Sequence, residues 1–561
     1  MVFDLLITGG LVVDGSGAPG VIGDVGITDG VIAAVGDLRD ESATDRIDAR
    51  GQVVAPGFID PHTHVDAQLF WDPMAAPLVL HGVTTAMMGN CSVTLAPCRP
   101  DGAEELARMF FYIEEVPIES LLAGVPWSWG SFDAFLHALD GKLGINCAAL
   151  VGHSAIRHCV MGTASLEREA DADEIASMKE LLRDCIRAGA IGFSTSQNKL
   201  HVLEGGRPIP SRVASEAEIL ALCDVLGEEG TGLVQTDGGE NIRRRAHWIR
   251  TIGRTIARNT SRPVLAGNVF STPGSPDGWR DIINAVEECQ NEGLRVFVQA
   301  NPTRLDAFFG VDGGILSGSS PTWSQLSLMS PADRLRAMHD LDVRERMQNE
   351  TVANPRSARD WSKIRVYKTG SPALAGRVGS TIADLAESRG VRIVDAFFDL
   401  AIEDQLETEF VEEGINNREP ADVLEMLSSP QTIIGSSDAG AHVKTFCGSG
   451  NTTYVLAHWV RDSGGMPLEE AVHRMTGDVA SVLGLEDRGL LRPDWAADVV
   501  VFDLDAVQYE KTRLVDDLPA GASRLWRDAP GISHVVVNGS VVVRDGVPTG
   551  TCAGRVLRNG R

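Results

Sequence analysis

Short apolar runs separated by turns mark both ends of the chain. Within the first fifty residues, "DLLITGG", "LVVDGSG", "GDVGITDG" and "VIAAVGD" alternate apolar stretches with glycine-rich turns. The last eighty residues repeat the pattern in "ADVVVFDLD" and "ISHVVVNGSVVVRDG", where Asn538 and Gly539 form a typical hairpin turn. Both ends of the chain are therefore predicted to be β-rich.

Between the ends, apolar β-branched runs alternate with amphipathic helical stretches such as "DADEIASMKELLRDCIRAGA" and "SEAEILALCDVLGEEG". This alternation predicts βα units and a parallel sheet. Candidate strands are "QVVAPGFID", "VTTAMMGN", "NCAALVGH", "AIGFSTS", "TGLVQTD", "PVLAGNV", "LRVFVQAN" and "TIIGSSD". Eight such strands would close an α/β barrel, whose chemistry lies at the C-terminal ends of the strands.

The same pattern gives provisional module boundaries. Residues 1–54 and 481–561 form the two β-rich ends, and residues 55–480 form the barrel. Residues from about 300 to 375 fit the barrel rhythm poorly and are interpreted as an insertion or lid.

Composition narrows the class of protein. Hydrophobic residues make up 43% and charged residues 23%, which is typical of folded globular domains. The formal net charge of −27 would repel nucleic acid and anionic membranes, and the start of the chain resembles neither a signal peptide nor a membrane span. Nine cysteines without short paired spacings favour a reducing cytoplasm over a disulfide framework.

Three of the predicted strands end in residues of types that can bind metals. His62 and His64 follow "VVAPGFID" at i and i+2, which on an extended segment point the same way, although loop histidines are the alternative. Cys91 ends "MMGNC" and is either a thiolate ligand or an ordinary buried thiol. Asp438 ends "TIIGSSD", where a carboxylate could ligate a metal and accept a proton, or could belong to a turn.

Taken together, these motifs resemble the N-acyl-D-amino-acid deacylase branch of the amidohydrolase superfamily. The similarity covers nearly the whole chain through "APGFIDPHTHVD", "HGVTTAMMGNCSVTLAP", "ALVGHSAIR", "AGAIGFSTS", "IIGSSDAGAH" and "GLEDRGLLRPDWAADVVVFD". The resemblance implies a (β/α)₈ barrel joined to a β-sandwich formed by both chain ends. It also implies that His62, His64, Cys91 and Asp438 are metal ligands, with Asp438 as the general base.

Two positions depart from the family pattern. The family has a "T-H-x-R" stretch after the fifth strand and "S-H-x-K" after the sixth, whereas this chain has "LVQTDGGEN" with Asp237 and "LAGNVFS" with Asn268. One zinc ion is expected, and a second cannot be assumed. Asp237 or Glu240 could supply oxygen, which would shift the preference towards manganese or iron, or neither contacts a metal.

The loop after the fourth strand, "TSQNKLHVLEGGRPIPSR", offers residues for binding substrate. Arg212 can pair with a carboxylate through two parallel hydrogen bonds, and His201 and Lys199 lie in the same loop, although a solvated surface charge is the simpler interpretation of Lys199. His442 could polarise a carbonyl group or cap the following helix. His153 in "VGHSAIR" could line the pocket, but its spacing assigns it no role.

The favoured hypothesis is a metal-dependent hydrolase that cleaves an N-acyl, carbamoyl or cyclic amide C–N bond of a small, carboxylated molecule. The alternative is a barrel whose degenerate second metal site has left it a ligand-binding or partner subunit with little hydrolysis of its own. The expected partner is a small molecule, with no nucleic acid and no membrane. Homo-oligomerisation, the acyl group and the stereospecificity are left open by the residues.

Overall fold

The two ends of the chain meet in one sheet of nine strands. The computed structural model describes residues 2–239, 241–272, 275–313, 320–353 and 359–559. The strands of this sheet are β1 (Val2–Val12), β2 (Val21–Thr28), β3 (Val31–Gly36), β4 (Ser42–Asp48), β5 (Val53–Pro56), β17 (Val499–Phe502), β20 (Ile532–Val537), β21 (Ser540–Arg544) and β22 (Val547–Pro548). Their order is β22-β21-β20-β17-β5-β1-β2-β3, and β4 pairs with β1. The predicted β-rich ends are confirmed.

A curled parallel sheet forms the centre of the fold. Its strands are β6 (Phe58–Asp60), β7 (Val83–Met88), β8 (Asn146–Gly152), β9 (Gly192–Ser196), β10 (Leu233–Asp237), β11 (Val264–Val269), β12 (Val296–Ala300) and β16 (Thr432–Ile434). They follow chain order from β6 to β16, and each lies within one of the eight predicted runs. The parallel α/β sheet predicted from the sequence is confirmed. A ninth strand, β23 (Val556–Leu557), brings the end of the chain back to pair with β8.

The first and last strands of the parallel sheet approach each other just beyond their C-terminal ends. Thr63 and Ala439 form a parallel bridge, and the backbone N–H of Asp438 donates to the carbonyl of His62 at 3.1 Å. Towards the other end of the strands, apolar side chains pack against the helix Gly477–Leu483. They are Ile59, Met87, Ala148, Leu150, Ile191, Leu233, Leu265 and Ile433. The interior is thus filled at one end and polar at the other, the usual arrangement in barrels.

Helices cover the parallel sheet and connect its strands. They are α1 (Gln68–Trp71), α2 (Ala103–Glu114), α3 (Ile118–Gly124), α4 (Phe132–Leu139), α5 (His153–Met161), α6 (Ala172–Ala188), α7 (Glu216–Glu229), α8 (Ile242–Trp248), α9 (Arg254–Thr260), α10 (Gly278–Asn291), α16 (Pro420–Ser428), α17 (Asn451–Tyr454), α18 (Leu468–Met475) and α19 (Gly477–Leu483). The stretch "DADEIASMKELLRDCIRAGA", predicted to be helical, corresponds to α6, which begins with a capping box between Asp171 and Glu174 and is capped at its end by Gly189. No helix in the described ranges is both long and apolar enough to cross a bilayer.

A second hydrophobic core lies in the chain between β12 and β16. It contains the small sheet β13 (Leu305–Phe309), β14 (Ile364–Lys368) and β15 (Glu409–Asn416), and the helices α11 (Pro321–Ser327), α12 (Pro331–Met338), α13 (Leu341–Gln348), α14 (Ile382–Arg389) and α15 (Ile393–Glu403). Buried side chains from Phe309 to Phe410 pack together here, apart from the main core. The remaining strands, β18 (Arg513–Val515) and β19 (Arg524–Trp526), form a hairpin.

Candidate metal centre

Two buried imidazoles follow β6 and face one carboxylate. The exposed fractions of His62 and His64 are 1% and 2%. Their Nε2 atoms lie 3.3 Å and 3.9 Å from the same oxygen, Oδ1 of Asp438. The i, i+2 spacing of the histidines therefore directs both rings to one point, as expected from the sequence.

A glutamine fixes the orientation of the first imidazole. Nδ1 of His62 lies 2.7 Å from Oε1 of Gln299, and Nε2 of Gln299 donates to the carbonyl of Pro61 at 3.1 Å. Because the amide nitrogen must face that carbonyl, the amide oxygen faces His62 and accepts from Nδ1–H. The lone pair of His62 is then on Nε2, the atom that faces Asp438.

A buried glutamate stands behind the second imidazole. Oε1 of Glu114, the last residue of α2, lies 3.2 Å from Nδ1 of His64. Burial, with the charges of neighbouring histidines, lowers the pKa of His64 well below its usual value. Burial also raises the pKa of Glu114 well above its usual value. His64 is therefore neutral, the form in which an imidazole binds a metal.

Cys91 completes a cluster with the two histidines. Its Sγ lies 3.4 Å from Nε2 of His62, and the candidate ligand atoms of His62, His64 and Cys91 all lie within 4.8 Å of one another. The residue has a left-handed backbone, with φ of 55°, and its N–H donates to Oε1 of Gln235 at 3.1 Å. The amide of Gln235 thus fixes the loop that carries the thiol.

His62, His64 and Cys91 are close enough to share a single metal ion, and Asp438 lies beside the two histidines. Ligands about 2.0–2.3 Å from a common ion lie roughly 3.3–3.8 Å apart, close to the separations of His62 from Cys91 and from Asp438. Two imidazoles, one thiol and one carboxylate are typical of zinc. The side chain of Asp438 remains 29% exposed, whereas those of the histidines are buried. The carboxylate of Asp438 is therefore accessible to water and to small molecules.

Asp237 is placed differently from these four residues. Its Oδ1 pairs with the guanidinium of Arg245, and its Oδ2 accepts from Nδ2 of Asn198 at 2.6 Å. Asn268 lies on the neighbouring strand β11, and its backbone carbonyl also accepts from Arg245. Both oxygens of Asp237 are thus engaged with protein groups. Glu240 lies outside the described residues.

The loop that carries the predicted substrate-binding residues lies beside Asp237. His201 accepts or donates a hydrogen bond at Nδ1 with Ser196 Oγ at 2.7 Å, and its Nε2 lies 3.9 Å from Oδ2 of Asp237. Burial and nearby positive charges lower the pKa of His201 to about 3, so its ring is neutral. Arg212 donates to the backbone carbonyls of His201 and Lys199, and so holds this loop in place. The side chain of Lys199 is exposed.

His442 lies on the opposite side, in the loop that follows Asp438. Its ring atom Nδ1 is 3.0 Å from Oε2 of Glu115, and its backbone N–H donates a hydrogen bond to the backbone carbonyl of Glu114. Burial opposes protonation, but the hydrogen bond and charge of Glu115 outweigh it and raise the pKa of His442 to about 9. His442 is therefore a largely buried cation at neutral pH. His153, in contrast, is fully buried between Thr195 and Glu218.

A narrow pocket opens beside His64 and the loop after Asp438, with about 520 Å³ of empty space that includes open solvent. Its walls are largely apolar and include Trp71, Val116, Phe446, Leu518 and Leu525. Gln68 and Arg524 add polar groups. The cavity suits the apolar part of a small molecule next to the candidate metal ligands.

Five of the polar groups that shape the site were not predicted from the sequence. They are Glu114, Glu115, Gln235, Arg245 and Gln299. Two of them carry a recognisable signal, because Gln235 and Gln299 are buried polar residues near the ends of apolar strands that lead to the site. The other three lie in helices or at a helix end, where an acidic or basic residue is unremarkable.

The position of the candidate metal ligands in the fold indicates the class of protein. Metal-dependent hydrolases with parallel α/β sheets place such imidazole, thiolate and carboxylate groups at the C-terminal edge, where a water can be activated. The family model described as the amidohydrolase family matches residues 45–543. The chain belongs to the amidohydrolase family, and its predicted class, a metal-dependent hydrolase of C–N bonds, is confirmed.

Individual relatives agree over the full length of the chain. A D-aminoacylase from Alcaligenes xylosoxydans xylosoxydans is 32% identical over 570 residues, which cover 99% of this chain and 97% of the relative. A solved D-aminoacylase, described as having a binuclear metal center, is 29% identical with a TM-score of 0.68, covering 99% of this chain and 100% of that chain. An N-acyl-D-glutamate deacylase from Bordetella bronchiseptica, solved with zinc and a phosphonate inhibitor, is 27% identical with a TM-score of 0.66, covering 100% of both chains.

Proposed function

We propose that this chain is a zinc-dependent deacylase that hydrolyses the amide bond of N-acyl amino acids of the D series. The observation that carries the proposal is the convergence of His62, His64, Cys91 and Asp438 at the edge of the parallel sheet. The D-aminoacylases and the N-acyl-D-glutamate deacylases to which the chain is similar support the substrate class. Nothing in these similarities supports the alternative of a non-hydrolytic binding subunit.

The four ligands would hold one zinc ion, with Gln299 orienting the imidazole of His62 and the carboxyl group of Glu114 lying behind that of His64. When bound, zinc lowers the pKa of water and polarises the substrate carbonyl. Asp438 is partly exposed, and we assign it the role of accepting the proton of the attacking water and returning it to the leaving nitrogen. His442 is held as a cation by Glu115, and we assign its Nε2–H a hydrogen bond to the substrate.

We assign the acyl group and the amino-acid carboxylate of the substrate to opposite sides of the candidate metal centre. The apolar cavity beside His64 suits the acyl group. The loop with Lys199, His201 and Arg212 offers positive charge and hydrogen-bond donors for the carboxylate of the amino acid. In this assignment, Arg212 has two roles, since it also holds the backbone of the loop.

The proposed function includes the modules in which the site is set. We propose that residues 55–480 form a closed (β/α)₈ barrel, in which the bridge between Thr63 and Ala439 supports closure. Residues 1–54 and 481–561 would form the β-sandwich, supported by their shared nine-stranded sheet. The cytoplasm is the proposed compartment, since all nine cysteines are free.

The test compares hydrolysis by wild type and by Asp438→Asn. The purified, zinc-loaded protein is assayed for amine release from N-acetyl-D-amino acids and their L enantiomers, with and without a chelator. We expect chelator-sensitive hydrolysis of the D series and a fall in kcat of about 100-fold or more in D438N, because an amide cannot accept the proton. The matched control D505N changes an exposed aspartate and should retain activity. Zinc-loaded wild type without chelator-sensitive hydrolysis would contradict the proposal.

A further inference from the structure

A buried arginine lies beside the candidate metal centre. Arg245, in α8, has a side chain that is only 5% exposed, although it lies in the strongly basic run "IRRRAHW". The neighbouring residue Arg244 is exposed. A buried guanidinium is costly unless its donors are paired, so this one side chain must be held by specific groups.

The groups around Arg245 come from the two positions that lack the family histidines. One terminal nitrogen pairs with Oδ1 of Asp237, and the other donates to the backbone carbonyl of Asn268. Nε faces the carbonyl of Gly238 at 3.4 Å. The guanidinium therefore spans the ends of β10 and β11, where the resemblance places the two histidines of a second metal position.

The backbone has room for this side chain only because one residue is glycine. A Cβ atom at Gly267 would lie 3.0 Å from Cζ of Arg245, and Gly267 also has a φ of +78°. The guanidinium thus lies directly against the backbone of β11. Any cation that used the ends of β10 and β11 would have to displace it.

The site of Arg245 is adjacent to the first metal position. Gln235, which accepts from the N–H of Cys91, lies two residues before Asp237 on β10, so the two side chains share one face of the strand.

We propose that Arg245 replaces the second metal ion of this centre, so that the chain binds a single ion and uses a guanidinium as its second positive charge. The inference rests on the proposed function, because it assumes that His62, His64, Cys91 and Asp438 bind the first ion. One divalent ion together with Arg245 balances the three anionic groups Cys91, Asp237 and Asp438. A second divalent ion would meet a fixed, buried cation instead of ligands.

The experiment removes the arginine in a background that offers one histidine. In the single variant Asn268→His, Arg245 still pairs with Asp237. In the part of the chain that the structure describes, Oδ1 of Asn268 is buried without a hydrogen-bond partner, so the substitution breaks no hydrogen bond of that oxygen. In the double variant R245A/N268H, Asp237 and the introduced imidazole are both free to bind. Wild type and both variants are saturated with zinc, freed of excess and measured by elemental analysis. Cobalt titrations followed by thiolate-to-cobalt absorbance give a second count.

We expect one ion per chain in wild type and in N268H, and a second ion only in R245A/N268H. Circular dichroism and thermal unfolding check that the variants fold. If the double variant fails to fold, the wild-type count still decides. Two ions in wild type or in N268H would overturn the inference and leave the proposed function intact. No ion in folded wild type would overturn both.

Discussion

Three residues of the candidate metal centre have an unusual backbone conformation. Cys91, Asp438 and His442 have φ values of 55°, 55° and 48°, in the left-handed region that non-glycine residues rarely adopt. Each such residue costs roughly 1–3 kcal/mol, and persists only where its surroundings hold it. The N–H of Cys91 bonds to Gln235, and that of Asp438 to the carbonyl of His62. These hydrogen bonds therefore hold the two candidate ligands Cys91 and Asp438 in their unusual backbone conformations.

The first prediction at this scale concerns Cys91→Ser. A serine hydroxyl is neutral and binds zinc far less well than a thiolate, so we expect metal content to fall from about one ion per chain to well below it. The fold should survive, since Cys91 is partly exposed. Elemental analysis and thermal unfolding are measured on the same preparation.

The matched control is Cys147→Ser, which changes a fully buried thiol within β8. There an added hydroxyl without a partner should cost about 1–3 kcal/mol of stability, with metal content unchanged. If C91S behaved like C147S, with full metal and a lower melting temperature, Cys91 would not be a ligand.

At the residue scale, the sequence predicts chemistry well when the residue type itself is rare. His62, His64 and Cys91 stand at strand ends, and the structure brings them together. Arg245 could not be predicted, because Arg244 and Arg245 are adjacent in the same basic run and only their positions around the helix separate them. Its burial depends on Asp237 and Gly267, and no local pattern indicates that contact.

At the scale of elements, periodicity predicts the strands but not how one run is divided. The run "VVAPGFID" is continuous in the sequence, yet β5 belongs to the sheet of the chain ends and β6 to the parallel sheet. The division falls at Gly57, where a Cβ atom would overlap the side chain of Thr84. Because the N–H of Gly57 bonds to the carbonyl of Asp498, the break depends on a residue near the other end of the chain.

The prediction at this scale concerns His81, which ends the 3₁₀ turn Leu78–His81 and joins it to two distant segments. Its ring nitrogens face Thr453 Oγ1 at 2.9 Å and the carbonyl of Arg527 at 3.2 Å. Burial and the charge of Arg527 lower the pKa of His81 to about 3. Its contribution to stability is therefore complete above about pH 6.5 and is lost as the pH falls from there towards 3, by about 1.4 kcal/mol per pH unit.

His81→Gln removes this titration while keeping an amide donor for the carbonyl of Arg527. We expect the stability difference between wild type and H81Q to shrink as the pH is lowered from 7.5 to 5, measured by urea unfolding at each pH. His137→Gln, which changes an exposed histidine of α4, is measured in the same way as a control. A constant difference between wild type and H81Q would mean that His81 is not kept neutral by the fold.

At the scale of the whole molecule, a buried polar network joins the parallel sheet to the sheet of the chain ends. Oδ2 of Asp498 accepts from Arg488 at 2.6 Å and from Asn146, at the start of β8, at 2.9 Å. Oδ1 of Asp498 accepts from the N–H of Asn538, which follows β20, at 2.8 Å. Residues far apart in the sequence thus meet at one carboxylate that is 4% exposed. The sequence predicts both sheets but offers no sign of this contact.

Asp498→Ala tests whether the two sheets depend on this carboxylate. The change leaves Arg488, Asn146 and the N–H of Asn538 without their buried acceptor, so we expect a loss of about 3 kcal/mol and a clearly lower melting temperature by calorimetry. Among the residues that the structure describes, Arg488 then keeps only its ion pair with the exposed Asp487, which is a weak substitute. The control D505A changes an exposed aspartate and should shift stability by less than about 0.5 kcal/mol. If both variants melted like wild type, the network would not hold the chain ends to the parallel sheet, and their association would have to depend on apolar packing alone.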